Sequence, residues 1–151
     1  MKIALLIPII LILAVMARVR LAPVDVDRWH VDPFTAPDPG MGGVADQSGQ
    51  QSGFFAGSAD HVAQDLAQIA TATPRTKLIA QDGNRYTFQT RSRGWGFPDY
   101  TTFETRQTDD GVALAITARL RFGRKDFGVN AKRVALWLDQ LTAADHMLAG
   151  Q

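Results

Sequence analysis

The sequence contains no cysteine, and this absence removes several classes of function. Disulfide bonds, thiolate nucleophiles and cysteine-ligated zinc or iron–sulfur sites are excluded. Histidine is also scarce: the three residues, His30, His61 and His146, form no HExxH motif or other metal-ligand spacing. We therefore predict no metal site and no cofactor.

Serine nucleophiles and phosphate-binding loops are equally scarce. Only four serines occur, at positions 48, 52, 58 and 92, and none lies in a G-x-S-x-G nucleophile elbow. The glycines of RGWGFP, residues 93–98, lack the spacing of a P-loop or a dinucleotide-binding fingerprint. We assign no catalytic residue, and a binding role is favoured over an enzymatic one.

A strong overall charge is absent, since 16 basic and 15 acidic residues leave a net charge of +1. This balance argues against nucleic acid as a partner. The charge is nevertheless unevenly distributed. Residues 23–84 carry three basic and eight acidic side chains, whereas residues 85–133 carry ten basic and five acidic ones. Such an asymmetry is typical either of an anion site or of two faces that attract one another.

The chain begins with fifteen uncharged, mostly apolar residues at positions 3–17. Because a bilayer core needs about 20 helical residues, we predict that residues 1–22 form an anchor that contacts and spans the membrane through residues 3–22. The alternative is a signal peptide cleaved after Ala17. We expect attachment to the bacterial inner membrane with the folded domain in the periplasm, although Arg18 and the basic residues after it slightly favour the cytoplasm.

Residues 23–57 contain four prolines and many glycines but little periodicity. Such a composition predicts an extended tether. Four large aromatic side chains are unusual in a disordered linker, so we expect parts of the tether to dock on the folded domain. These residues are Trp29, Phe34, Phe54 and Phe55.

Residues 58–149 carry the periodicities of an α+β domain. Ser58 is a good N-cap for a helix over residues 59–71, and a second helix begins near Asn130. Between them, Asp-Gly turns and period-two alternation predict four strands. Their bounds are 76–81, 85–92, 100–107 and 112–121. Short connections imply an antiparallel meander, and the single apolar stripe of each helix predicts that both helices pack on one face of the sheet.

A dense cluster of positive charge lies where the last strand meets the last helix, at residues 119–133, RLRFGRKDFGVNAKR. Cations beside the free amides of a helix N-terminus oppose the helix dipole, so a bound anion would be stabilised there. We predict a membrane-anchored accessory protein that binds a protein partner or a small anion at this corner. The ligand-binding residues would be Arg91, Arg93, Arg119, Arg121, Arg124 and Arg133.

Two alternatives use the same part of the chain. In the first, the arginines pair internally with Asp99, Glu104 and Asp126 and only hold the corner together, as in a purely structural envelope protein. In the second, Arg91 and Arg119 join Asp99 and Asp126 in the active site of an enzyme that acts on an anionic substrate. The direction in which the arginine head groups point would separate these hypotheses.

From Phe97 to Leu141 the sequence resembles the domain-of-unknown-function family 1499, a group of small bacterial and plastid proteins. The resemblance rests on the pattern G-x-x-D-x-G-V-N-x-x-R-V and on an earlier F-x-D element, and it covers roughly residues 58–141. The matching residues that we expect to shape the corner are Asp99, Gly123, Asp126, Gly128 and Asn130. A cysteine-containing segment found upstream in many members is missing here. The resemblance implies an α+β fold and frequent membrane or lipoprotein attachment, but no activity.

Overall fold

The computed structural model describes residues 2–40, 43–46 and 55–149. In these ranges it has four helices: α1 (Lys2–Leu21), α2 (Val26–Trp29), α3 (Ala59–Ala72) and α4 (Val129–Ala149). The strands are β1 (Gly43–Asp46), β2 (Thr76–Asp82), β3 (Arg85–Arg91), β4 (Pro98–Thr108) and β5 (Gly111–Leu120). All neighbouring strands are antiparallel, in the order β1-β5-β4-β3-β2.

The α+β class and the antiparallel arrangement predicted from the sequence are confirmed. The number of predicted strands was wrong, because residues 43–46 of the predicted tether add β1 beside β5, with Val44 opposite Ala118. The sequence GVAD at these positions places its two apolar side chains next to each other, so it shows no period-two pattern. Phe55 of the tether also pairs with the sheet, through two backbone hydrogen bonds with Val112. Phe54, Ser48 and Ser52 lie outside the described residues.

The hydrophobic core lies between α3, α4 and one face of the sheet. Ser58 caps α3, because its Oγ accepts a hydrogen bond from the backbone N–H of His61 at 3.2 Å. Leu66 of α3 and Trp137 of α4 are fully buried, and Trp137 meets Phe88 of β3 edge to face at 6.2 Å between ring centroids. Both helices therefore cover the same face of the sheet.

The opposite face of the sheet is polar, and residues 26–39, which we call the strap, lie across it. Trp29 is buried and stacks on Tyr100 with 4.1 Å between the ring centroids. Thr102 donates a hydrogen bond to the carbonyl oxygen of Trp29 at 2.8 Å. Further along the strap, Asp32 forms an ion pair with Arg106 at 2.9 Å. The strap thus forms a third layer over the sheet.

The last turn of α1 packs against the folded domain. Val19 is only 6% exposed, and the guanidinium group of Arg20 donates a hydrogen bond to the carbonyl oxygen of Gly94 at 2.7 Å. No helix in the described part of the chain is both long enough and apolar enough to cross a membrane. The predicted span through residues 3–22 is therefore not supported. Its last turn carries Arg18 and Arg20 and contacts protein, which leaves fewer apolar residues than the roughly 20 that a bilayer requires.

Candidate functional site

Antiparallel pairing brings the end of β3, the start of β4 and the end of β5 together at one end of the sheet. Arg91 at the end of β3 lies opposite Pro98 at the start of β4, and Asp99 lies opposite Leu120 at the end of β5. The β3–β4 loop and the connection from β5 to α4 therefore meet there. We call this region, residues 91–99 and 119–128, the basic end.

Asp126 fixes the start of α4 at the basic end. Its Oδ1 accepts a hydrogen bond from the backbone N–H of Gly128 at 3.0 Å, and its Oδ2 accepts one from the N–H of Asn130 at 2.7 Å. These contacts satisfy amides that a helix N-terminus leaves without an internal partner. The sequence indicated a start near Asn130, whereas the helix begins at Val129 and Asp126 does the capping. Asp126 thus binds backbone amides, not the arginines of the corner.

Asp99, Asn130 and Arg133 form a polar cluster behind this corner. Arg133 is 9% exposed and donates hydrogen bonds to the side-chain oxygens of Asn130 and Thr101. Burial lowers the pKa of the Arg133 guanidinium, and the nearby carboxylates Asp99 and Asp126 oppose that shift. Burial also raises the pKa of Asp99 to about 6, although the charge of Arg133 pulls it down. The Arg133 side chain therefore forms its contacts within the protein, inside the corner.

A cavity of about 390 Å³, the apolar cavity, opens beside Asp99 and Asp126. Its apolar lining consists of Phe97, Leu120, Phe122, Phe127 and Val129. Phe127 is 90% exposed and has a φ of 55°, in the left-handed region that is costly for a residue with a side chain. This cavity is of the size that small-molecule ligands occupy in proteins.

A second cavity of about 370 Å³, the basic cavity, lies between the strap and the connection after β5. Its charged lining consists of Arg28, Arg119 and Arg124. Arg119 donates hydrogen bonds to the carbonyl oxygens of Arg28 and Trp29, both at 3.1 Å. Burial and the charge of Arg28 lower the pKa of Arg119. Within the described part of the chain, none of the three guanidinium groups forms an ion pair.

A third cavity, of about 450 Å³, is lined by Arg20, Arg75 and Arg91 with Ser92, Gly94 and Gly96. Its arginines are engaged by the backbone. Arg91 donates to the carbonyl oxygens of Gly96 and Arg20, at 2.8 and 3.2 Å, and Arg75 donates to that of Arg91 at 3.1 Å. These contacts tie α1 and the β3–β4 loop together.

The six arginines predicted to form one ligand site are not gathered in one cavity. Arg119 and Arg124 line the basic cavity, Arg91 lines the third cavity, and Arg133 lies within the corner. Arg121 donates a hydrogen bond to the carbonyl oxygen of Pro23 at 2.7 Å. Arg93 is exposed in the β3–β4 loop and is not among the lining residues of these three cavities.

The four side chains of the enzyme hypothesis are separated in the same way. Asp99 and Asp126 line the apolar cavity, whereas Arg119 and Arg91 line the other two. Glu104, which the structural alternative paired with the corner arginines, forms its ion pairs with Arg85 at 2.6 Å and Arg106 at 2.8 Å. Among the residues that the structure describes, no group of three or more histidine or acidic side chains could hold a metal ion.

Sequence reasoning missed the contribution of the strap to the basic cavity. Arg28 and Trp29 line it, although Trp29 was expected only to dock. The carbonyl oxygen of Arg28 meets Arg119, which lies 91 residues further along the chain. In the sequence, a tryptophan within a segment rich in proline and glycine was the one indication that this part of the strap docks. It did not indicate where on the sheet the strap lies.

Comparison with known proteins places the whole sheet within one family model. The model described as "Protein of unknown function (DUF1499)" matches residues 31–141, from the strap to α4. The match includes both connections that form the basic end. No curated protein and no solved structure matches the chain.

Proposed function

The chain belongs to the DUF1499 family, a family of unknown function, and from this premise we propose that the protein binds a small anion in the basic cavity. The observation that carries the proposal is the set of three guanidinium groups, Arg28, Arg119 and Arg124, around one cavity without an ion pair among the described residues. Guanidinium groups in such proximity repel one another. A bound phosphate would offset this repulsion and accept paired hydrogen bonds from their planar forks.

Two of these arginines are held in place before any ligand binds. The guanidinium carbon atoms of Arg28 and Arg119 lie 5.0 and 5.1 Å from the centre of the Trp29 ring. Arg119 is held further by its two hydrogen bonds to backbone carbonyl oxygens. Side chains that are already ordered lose less conformational entropy on binding, so the cavity is suited to a compact ligand.

Isothermal titration calorimetry with inorganic phosphate tests the proposal. Arg28→Gln and Arg124→Gln both alter exposed side chains, so we expect little effect on the free energy of unfolding. A charge-assisted hydrogen bond contributes about 1.5 kcal/mol or more, so each variant should bind phosphate about tenfold more weakly than the wild type.

Arg93→Gln is the matched control, since it removes the same charge from an exposed position that does not line the basic cavity. Its affinity for phosphate should stay within about twofold of the wild type, because an exposed charge beyond contact distance is screened by salt. An equal loss in Arg93→Gln and Arg124→Gln would mean a general attraction of charge, and the cavity would not be the site. If phosphate shows no saturable binding, the structural envelope role becomes the better hypothesis.

The proposal includes the location expected from the sequence, with residues 3–22 attached to the bacterial inner membrane and the domain in the periplasm. Its support is the exposure of large apolar side chains along α1, for example Ile7 at 64% and Leu11 at 65%. Such side chains are stabilised when an apolar surface covers them. The test is a reporter that is fused after Gln151 and is active only in the cytoplasm. Activity of this reporter would contradict the periplasmic location.

A further inference from the structure

The basic cavity and the apolar cavity are neighbours on the two sides of one short segment. Leu120 and Gly123 line both of them. A Cβ atom placed on Gly123 would meet no other atom within 4 Å, so open space lies beside the segment that separates the cavities. A ligand with two chemically different parts could therefore occupy both cavities by passing over Gly123.

We propose that the ligand is a single-chain phosphate ester, whose phosphate lies among the arginines of the basic cavity and whose hydrocarbon chain lies in the apolar cavity. This inference rests on the proposed function and names the class of anion. Three positive charges are suited to a doubly charged phosphate, and five apolar side chains are suited to an alkyl chain.

The carboxyl groups of the apolar cavity do not contradict a hydrocarbon ligand, because both have partners within the protein. Asp126 accepts hydrogen bonds from two backbone N–H groups. Asp99 is hydrogen-bonded to Asn130 and lies near the charge of Arg133. The contact surface left for a ligand is mainly that of the phenylalanines, Leu120 and Val129.

Phe127 gives independent support for an apolar ligand. It lines the cavity, yet 90% of its surface is exposed, and its φ of 55° is a conformation that non-glycine residues rarely adopt. A backbone conformation of this kind persists only where the surrounding structure imposes it, and such residues cluster at ligand sites. Contact with an alkyl chain would remove the exposed ring from water.

Calorimetric titration with n-octyl phosphate, below the concentration at which it forms micelles, tests the inference against inorganic phosphate. We expect octyl phosphate to bind at least about tenfold more tightly than phosphate, because burial of each methylene group favours association. Octyltrimethylammonium, which has the same chain and a positive head, should bind at least about tenfold more weakly than octyl phosphate.

Phe127→Gly separates the two parts of the ligand. Glycine adopts the left-handed conformation without steric strain, so the variant should fold, which circular dichroism checks. Its affinity for octyl phosphate should fall about fivefold or more, while its affinity for inorganic phosphate stays unchanged. Val129→Ser, at a second lining residue that is 54% exposed, should act in the same direction. Leu136→Ala, at an exposed apolar residue outside the cavity, should bind both ligands as the wild type does.

The outcomes distinguish this inference from the function on which it rests. If phosphate binds and depends on Arg124, but octyl phosphate binds no more tightly, the inference fails and the anion site stands. If octyltrimethylammonium binds as tightly as octyl phosphate, or if Arg28→Gln and Arg124→Gln leave octyl phosphate binding unchanged, the position of the phosphate in the basic cavity is wrong. If neither phosphate nor octyl phosphate binds, both proposals fail.

Discussion

At the scale of single residues, the carboxyl group of Asp99 carries a property that the fold imposes. Burial raises its pKa to about 6, the charge of Arg133 lowers it, and the charge of Asp126 adds to the increase. The group is therefore mostly protonated at pH 5 and mostly ionised at pH 7. The polar cluster of the corner thus changes its charge in a range where ordinary aspartates do not.

This pKa predicts that Asp99 makes the protein less stable as the pH rises. The folded-state pKa lies above the unfolded value of 3.8, so the native state binds the proton more tightly. The resulting stabilisation is complete below pH 3.8 and is lost as the pH rises through about 6. A difference of about two units corresponds to at most roughly 3 kcal/mol in the free energy of unfolding.

Urea denaturation of the wild type and of Asp99→Asn at several pH values measures this effect. The free energy of unfolding of the wild type, relative to that of Asp99→Asn, should fall by about 1 to 3 kcal/mol between pH 4 and pH 7.5, because asparagine does not titrate. Asp110→Asn, which removes a carboxyl group from an exposed position in the β4–β5 turn, is the control variant. A constant difference for Asp99→Asn would show that its pKa is not raised.

At the scale of elements, the start of α4 depends on a side chain outside the helix. Asp126 accepts two of the first backbone amides, so Asp126→Ala should lower the free energy of unfolding by about 1 to 2 kcal/mol. Asp126→Asn keeps one of the two accepting oxygens, so its cost should be smaller than that of Asp126→Ala. The control is Asp139→Ala, which removes an exposed aspartate from the interior of α4. Equal urea midpoints for Asp126→Ala and Asp139→Ala would contradict the capping role.

Elements with a strong local pattern could be predicted from the sequence. The helix after Ser58 depends on spacing within a few residues, and so does the alternation of Leu114, Ile116 and Ala118 in β5. The predicted bounds of the four strands agree with the observed bounds of β2 to β5 within two residues. β1 and the strap could not be predicted in this way. Their positions are decided by contacts with distant residues, such as Trp29 on Tyr100, for which the local sequence carries no period.

The candidate site was harder to predict than the fold for the same reason. Alternation predicts one face for Arg119 and Arg121, because side chains repeat with period two along a strand. Arg119 contacts the strap and Arg121 contacts the hydroxyl group of Tyr100 on which the strap stacks, although β5 ends at Leu120, before Arg121. Arg121 also contacts Pro23 before the strap, and the sequence does not give the register of this segment on the sheet. Arg133 was predicted to bind a ligand, but α4 directs it against Thr101 of the sheet. The direction in which a side chain leaves a helix depends on the rotation of the helix about its axis, and only packing decides that rotation.

At the scale of the whole molecule, the small net charge conceals a separation of charge along the sheet. Arg91, Arg119 and Arg124 lie at the basic end. The two hairpin turns at the other end, β2–β3 and β4–β5, carry Asp82, Asp109 and Asp110. This separation differs from the basic and acidic parts of the sequence, because Asp109 and Asp110 belong to residues 85–133. An anion that approaches the protein is attracted to one end and repelled from the other.

The effect of this long-range field on phosphate binding should become smaller as the salt concentration rises. The effect of direct contacts in the cavity should persist at high salt. The ten residues of β5 extend over roughly 30 Å, about three Debye lengths at 0.1 M salt. Neutralising the acidic end with Asp109→Asn and Asp110→Asn should therefore change the phosphate affinity less than about 1.5-fold at 150 mM NaCl, and more at 10 mM. Arg124→Gln should stay weaker than the wild type at both concentrations, because its loss is a local contact. If the double variant at 150 mM NaCl strengthened binding as much as Arg124→Gln weakens it, the long-range field would outweigh the cavity in holding the anion.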